Sequence, residues 1–254
     1  MGSKDKPIES GDFVLAHVTL SDAETGSVYM TTVEEEAKRA GIFSPDDLYE
    51  PMLIIVGEQR LFPKAEQALI GAKVGEEVVV ELEPSEAFGE YDPNKEKIFP
   101  ISRLQKAGIK DVAVGDVIRF GNERGTVRSI TGGRVRIDFN HPLAGRRIKV
   151  WMKVERVLED QRERLRALTA RYFDVPIDRV AVKVDGDRAE IELPSAAYTK
   201  RDAFVRKVRL LSAVMKHMPE LAKVRFIEEF EVPKERQPEE ETAEGTEETE
   251  AQTS

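Results

Sequence analysis

The chain alternates between apolar and polar positions almost from its start. In FVLAHVTL, Phe13, Leu15 and the ring of His17 fall on one side of an extended segment. SDAETGSVY supplies a turn at Gly26 and a return strand around Val28 and Tyr29, so a hairpin is predicted. TTVEEEAKRAG offers Thr32 as a helix cap, Glu35 three residues later and Gly41 as terminator, the pattern of a capping box with a stop signal. After the loop SPDDLYEP, MLIIV reads as a short buried strand. Pro63 to Ile70 reads as a helix, with Pro63 in its first turn and Gly71 ending it. VGEEVVVELEP alternates up to Pro84 and predicts another strand.

Residues 116–138 hold three short alternating runs separated by GNERG and TGG, which predicts a small all-β unit. RRIKVWMKVERVL follows as a strand, with Ile148, Val150, Met152 and Val154 on one face and Trp151 on the other. Beyond Glu159 the pattern changes. Leu165, Leu168 and Tyr172 lie at helical spacing, and RVAVKVDGDRAEIEL is a hairpin around Asp185-Gly186. Phe204, Val208, Leu211, Met215 and Met218 repeat at helical spacing behind Thr199 and Asp202 as caps, a face that reads as core. KVRFIEEFEV places Val224, Phe226, Phe230 and Val232 in strand phase. This α-β-β-α-β order predicts a compact α+β domain.

Composition narrows the chemistry. Among 254 residues, 40% are apolar, enough for real cores, and no run approaches the ~20 apolar residues of a membrane span. Cysteine is absent, which excludes disulfides, thiolate metal sites and a cysteine nucleophile. The first ten residues carry no apolar run, so no secretion signal is expected and a cytoplasmic protein is. The net charge of -9 hides an uneven distribution. Residues 233–254 hold eight Glu against Lys234 and Arg236 and predict a disordered acidic tail. Residues 91–147 hold twelve Lys and Arg against six Asp and Glu. His141, inside DFNHPLAG, reads as part of a turn, because the residue before a proline avoids helical backbone and Gly145 adds a second bend.

The stretch GEQRLFPKAEQALIGAKVGEEVVVELEPSEAFGEYDP, residues 57–93, resembles the FKBP-type peptidyl-prolyl cis-trans isomerases. NHPLAG before a strand is similar to the SlyD-like subgroup, where the chain returns from a domain inserted in the flap. TTVEEEAKRAGIFSPDDLYEP looks like the long archaeal forms, and the final domain is similar to their C-terminal extension. The resemblance implies an α+β fold, in which an FKBP-like antiparallel half-barrel wraps a short helix and carries two further domains. The FKBP-type domain would be discontinuous, 1–92 and 141–158. An inserted β domain would span 93–140, and an α+β domain 159–232, before the tail at 233–254.

The resemblance also implies the activity, prolyl isomerisation with chaperone action on unfolded polypeptides. No covalent catalyst, cofactor or metal is expected, and the histidine-rich tail with which some SlyD-like proteins bind nickel has no counterpart. The substrate pocket would be lined by His17, Tyr29, Met52, Leu61, Phe62, Phe88 and Val150, with the Phe62 amide anchoring a substrate carbonyl. Several positions depart from the family: His17 for Tyr, Met30 for Asp, Leu61-Phe62 for Val-Ile, Ala65 for Trp or Leu, Phe88 for Tyr and Val150 for Phe. Lost hydroxyls and the lost Asp predict weak or narrow activity, and the same residues as ordinary barrel core remain the alternative.

In the insert, Ile118, Phe120, Val127, Val135 and Ile137 are expected to line an apolar groove for client chains; their being core is the competing reading. A non-catalytic chaperone or docking module on the same fold stands as the second functional reading. Expected partners are unfolded or proline-containing polypeptides, with a homodimer through the C-terminal domain as a further option. Membrane contact is not expected, nor is nucleic-acid or ribosome contact, because the basic insert lacks interleaved aromatics.

Overall fold

The structure is a computed structural model and describes residues 6–230; Val232 and the acidic segment 233–254 lie outside the described residues. The chain opens with β1 (Phe13–Asp22), β2 (Val28–Thr31), α1 (Glu34–Ala40), β3 (Met52–Ile55), α2 (Pro63–Ala68) and β4 (Glu77–Leu82). It continues through β5 (Glu96–Pro100), α3 (Ile101–Lys106), β6 (Val117–Phe120), β7 (Glu123–Thr131) and β8 (Arg134–Asp138), then returns in β9 (Ile148–Leu158). The last part comprises α4 (Gln161–Phe173), β10 (Ala181–Asp185), β11 (Arg188–Leu193), α5 (Ser195–Tyr198), α6 (Ala203–His217) and β12 (Lys223–Glu228). None of the described helices is long and apolar enough to cross a membrane.

Three sheets organise these elements. The first has the order β2-β1-β9-β4, with β3 also paired to β1, and every pairing is antiparallel. Its strands alternate, with a bulge in β9 between Val154 and Arg156 that reverses the parity beyond it. Val14, Ala16, Val18 and Leu20 of β1 join Val150, Met152 and Val154 of β9 in a core closed by Ala65 of α2 and by Leu69, its C-cap. The other parity, Phe13 and Leu15 with Leu53, Ile55 and Leu158, is buried too, against Leu165, Leu168, Phe173, Leu210 and Val214 of the C-terminal part. The C-terminal part therefore shares a core with the back of the first sheet. A sheet covered on both faces reads as a near-continuous apolar run, which is what FVLA at the head of β1 shows.

The second sheet, β5-β8-β7-β6, is antiparallel and belongs to the insert. Its interior is small: Leu104 of α3 packs on Val127, Val135 and Ile137, each at most 1% exposed. This corrects the groove expected from the sequence. Val127, Val135 and Ile137 are core, because α3, which the alternation pattern did not reveal, covers that face. Ile118 and Phe120 are only partly buried, and the large apolar side chains left to solvent are Ile98, Val114 and Val117.

The third sheet, β10-β11-β12, pairs β11 with β12 in parallel, and the chain between them passes through α5 and α6. Gly186 takes φ 58° in the turn between β10 and β11. One cap expectation fails and a second holds in position only. Val33, not Thr32, is the N-cap of α1, and the Thr32 hydroxyl instead accepts the Val18 N–H at 2.8 Å. Asp202 is the N-cap of α6 without a side-chain bond to the helix backbone; its carboxylate takes Arg206 Nε at 2.9 Å. Along α6, Leu210, Ala213, Val214 and Met218 are buried, whereas Phe204, Val208 and Met215 are exposed, so most of the stripe expected to be core faces solvent. The reason is a second apolar face one position away, which packs on α4.

Candidate active site

The short helix α2 builds the site. Its Glu66 is 1% exposed and its carboxylate accepts three backbone N–H groups: Gly57 and Gln59 on Oε2 and Leu61 on Oε1, each at 2.9 Å. These bonds hold the loop between β3 and α2 in a tight turn, where Gly57 takes φ 94° and Gln59 φ 61°. A left-handed Gln costs energy that charge-assisted bonds to a carboxylate offset. The loop delivers Leu61 and Phe62 to the start of α2. Phe62 is its N-cap, with a carbonyl that accepts from Ala65 N and Glu66 N. Among the described residues, the Phe62 N–H has no hydrogen-bond acceptor.

Around that N–H the surface is apolar. Tyr29, Met30, Met52, Leu61, Phe62 and Phe88 are partly buried against the core that contains Ala65 and Val150. Phe62 and Phe88 meet edge to face at 5.2 Å between ring centroids. Val150 is fully buried, so it forms the floor and not the rim. His17 does not join this group. It pairs with Lys153, on the parity opposite to Val18 and Met152, and its Nδ1 lies 3.1 Å from both the carbonyl and the hydroxyl of Thr32. The alternation that put His17 with Phe13 and Leu15 places it on the back of the sheet, and the resemblance-based assignment is one position out of phase.

The polar groups here were not legible from sequence. Asp22, 4% exposed, accepts the Tyr29 hydroxyl at 2.7 Å and Arg146 at 2.8 Å on Oδ2, and the N–H groups of Glu24 and Thr25 on Oδ1. The Thr25 N–H first, then the Tyr29 hydroxyl and the Arg146 guanidinium, hold its carboxyl far below the ordinary range. Burial and the Asp22 partner push the Tyr29 phenol up, so it stays a neutral donor. Arg146 and His141 both belong to the segment that returns from the insert. The insert is clamped at the same junction: Asn140 accepts the Asp92 N–H and donates to the Asp92 carbonyl, and Asp138 takes Arg128 and Asn140.

An apolar floor with one unengaged N–H suits a reaction that needs neither a nucleophile nor a proton carrier. Rotation about an X–Pro bond meets a barrier of ~18–20 kcal/mol, set by amide resonance. A site that strips water from the planar amide and holds a neighbouring carbonyl lowers it.

Comparison with known proteins agrees. The chain is 33% identical over 150 residues to a protein of Methanocaldococcus jannaschii named "Short-type peptidyl-prolyl cis-trans isomerase", a match that covers 59% of this chain and 94% of that one. The chain belongs to the FKBP-type peptidyl-prolyl cis-trans isomerase family. The family model with that description matches residues 4–105. Two further models, "FKBP26, IF domain" and "FKBP26_C-terminal", match residues 97–143 and 161–231. The "FKBP-type 16 kDa peptidyl-prolyl cis-trans isomerase" of Escherichia coli is 32% identical over 146 residues, 56% of this chain and 87% of that protein. "FKBP-type peptidyl-prolyl cis-trans isomerase SlyD" of Helicobacter pylori is 27% identical over 107 residues, 41% of this chain and 58% of that protein. This FKBP-type isomerase thus carries both the insert in the flap and the C-terminal extension.

Proposed function

We propose that proline isomerisation takes place on the Phe62–Phe88 surface, at a low turnover, and that the insert captures unfolded polypeptide and passes it to this surface. The unengaged Phe62 N–H, set among half-buried Leu61, Phe88 and Met52, carries the reading: it is an amide donor held at the lip of an apolar floor. Low turnover is argued from the polar groups. The Tyr29 hydroxyl is engaged by Asp22, and Phe88 has no hydroxyl, so little but one N–H remains to orient the substrate.

Capture by the insert is argued from β6, which stands at the edge of its sheet. A free edge offers backbone partners to an extended chain. Val117 on that edge and Val114 before it are 65% and 63% exposed, beside the half-buried Ile118 and Phe120. Arg103 lies over the Phe99 and Phe120 rings at 5.2 and 5.7 Å, a basic rim on an apolar surface. Tethering capture and chemistry on one chain raises the effective concentration of prolyl segments to the millimolar range typical of short links. A cytoplasmic location and polypeptide clients are part of this proposal. So is a homodimer through α6, whose Phe204 and Met215 are 76% and 77% exposed in one stripe with Val208.

A protease-coupled proline assay tests the reading. The parent is expected above buffer and Phe62→Ala at or near buffer, with both still suppressing aggregation of an unfolded client. Equal rates for the two would remove catalysis from this surface. Val117→Glu is expected to weaken suppression of aggregation and to leave the rate on short peptides in place. Light scattering with and without residues 159–254 decides the dimer.

A further inference from the structure

Beside the Phe62–Phe88 surface runs a concavity between the first sheet and the C-terminal part. It holds about 250 Å³. Met30 and Met52 belong to its wall and also pack against the core that Phe62 packs on, so the groove adjoins the Phe62 surface. Leu48 and Pro51 make one apolar flank, and Ile177 and Val175, from the extension, make the other.

Its charges are unequally satisfied. Glu58 is consumed at the back of the groove: Oε2 takes Arg171 at 2.6 Å and Oε1 lies 3.2 Å from His217 Nε2. Of the two carboxylates on the wall, Glu50 accepts the Ile177 N–H at 3.3 Å and Asp174 stands 3.7 Å from Arg206. The cations fare otherwise. The Arg171 side chain is 10% exposed, and its buried Nε has no hydrogen-bond partner. Arg60 is exposed at the rim and makes no ion pair or hydrogen bond among the described residues, so its charge is open to a ligand. Partial burial and the neighbouring Arg171 hold the Arg60 guanidinium below its ordinary pKa. A buried donor without an acceptor costs free energy until something supplies one. A guanidinium fork matches the geometry of a carboxylate, the acidic group a polypeptide client carries.

We propose that this groove is an extension of the prolyl site that takes an acidic side chain close to the proline of the client, held by Arg60 at the rim and by Arg171 Nε inside. The proposal rests on the placement of the reaction at Phe62. A chain laid along the Phe62 lip passes over Met52 into the groove, and at about 3.3 Å per residue one or two positions bring a side chain to Arg60. The extension would then serve the reaction directly, by giving the isomerase a preference among Xaa-Pro segments that the small FKBP-type domain cannot express.

Exchange NMR on short peptides tests this, with Glu, Gln or Lys placed one and two positions either side of a Leu-Pro pair. For the full chain, kcat/KM is expected to favour Glu over Lys by about fivefold at one of these positions, the size of one partly exposed ion pair, and less at high salt. Arg60→Glu is expected to invert that ratio, and Arg60→Lys to keep it. A circular-dichroism melt checks that both variants fold. Ratios within twofold of unity at every position overturn the proposal, as does an Arg60→Glu ratio equal to the parent's. A preference for Glu that appears only after removal of residues 233–254 would give the groove to the chain's own acidic end and overturn it too. Phe62→Ala separates the two readings: if it leaves rates on Gln peptides unchanged, the prolyl surface itself is misplaced, whatever Arg60 does.

Discussion

The rings of Phe88 and His141 lie face to face, with centroids 4.4 Å apart and planes 2° from parallel. His141 is held for this contact by its own turn, since its carbonyl accepts Ala144 N and its Nδ1 accepts Leu143 N. The turn that ends the insert is thus joined to the aromatic pair at the prolyl surface. His141→Ala should lower the melting temperature by about 2–4 °C, the effect of roughly 1 kcal/mol of aromatic contact in a domain of this size. A melting temperature equal to the parent's would mean that the stack carries no net energy.

Glu66 is the scaffold of the loop between β3 and α2. In Glu66→Gln an N–H₂ group must face backbone donors, so at least one of the three bonds is lost and the left-handed Gln59 loses its compensation. Isomerase kcat/KM is expected to fall about tenfold or more, with stability reduced by ~1–3 kcal/mol in urea denaturation. Full activity in this variant would show that the loop holds its shape without the carboxylate.

Glu58, Arg171 and His217 bind the extension to the back of the first sheet, all three nearly buried. Burial pushes the Glu58 carboxyl up, but the Arg171 and His217 partners outweigh it, so it lies below its ordinary value. Removing one member of a buried pair strands the other, at a cost of roughly 3–5 kcal/mol. Glu58→Ala should therefore loosen the extension, read as faster amide hydrogen exchange along α4 and α6. Unchanged exchange would assign that contact to the apolar core alone.

Acid should act on the junction of the insert. Asp138 is buried, which raises its carboxyl, yet the Asn140 N–H and the Arg128 guanidinium bring it below the ordinary value; Asp22 is held lower still. Both groups bind protons less readily folded than unfolded. Their stabilisation is present above the unfolded Asp value, near pH 4, and is lost as pH falls through the folded values. The urea midpoint should drop from pH 5 to pH 3, and Asp138→Asn, weaker at pH 5, should lose less over that window. Equal losses in parent and variant would sink this account.

Much of the fold was legible because it follows from parity and turns. The alternation in β1 and β9, Pro63 at the head of α2, and Asp185-Gly186 between β10 and β11 are local signals that the packed chain obeys. Other features answered to distant partners. Thr32 has the sequence of a cap, but β1 offers its hydroxyl an unpaired N–H and takes it. The helix α3 is six residues, ISRLQK, with only Ile101 and Leu104 apolar, indistinguishable from loop until Leu104 finds the sheet beneath it. On α6 two apolar faces compete, and only the position of α4 says which one is inside.

The amino-acid order alone determined the strand parity, the glycine-dependent turns and the apolar loop before α2, because these are short-range properties, and the family entered through the resemblance of residues 57–93 and NHPLAG to FKBP-type isomerases. Only tertiary structure decided that His17 faces away from the Phe62–Phe88 surface, that Asp22 holds Tyr29 and Glu66 holds the loop before α2, and that Arg60 and Arg171 line one groove. Those relations join residues far apart in sequence through burial and hydrogen-bond geometry, and neither is written in any local window.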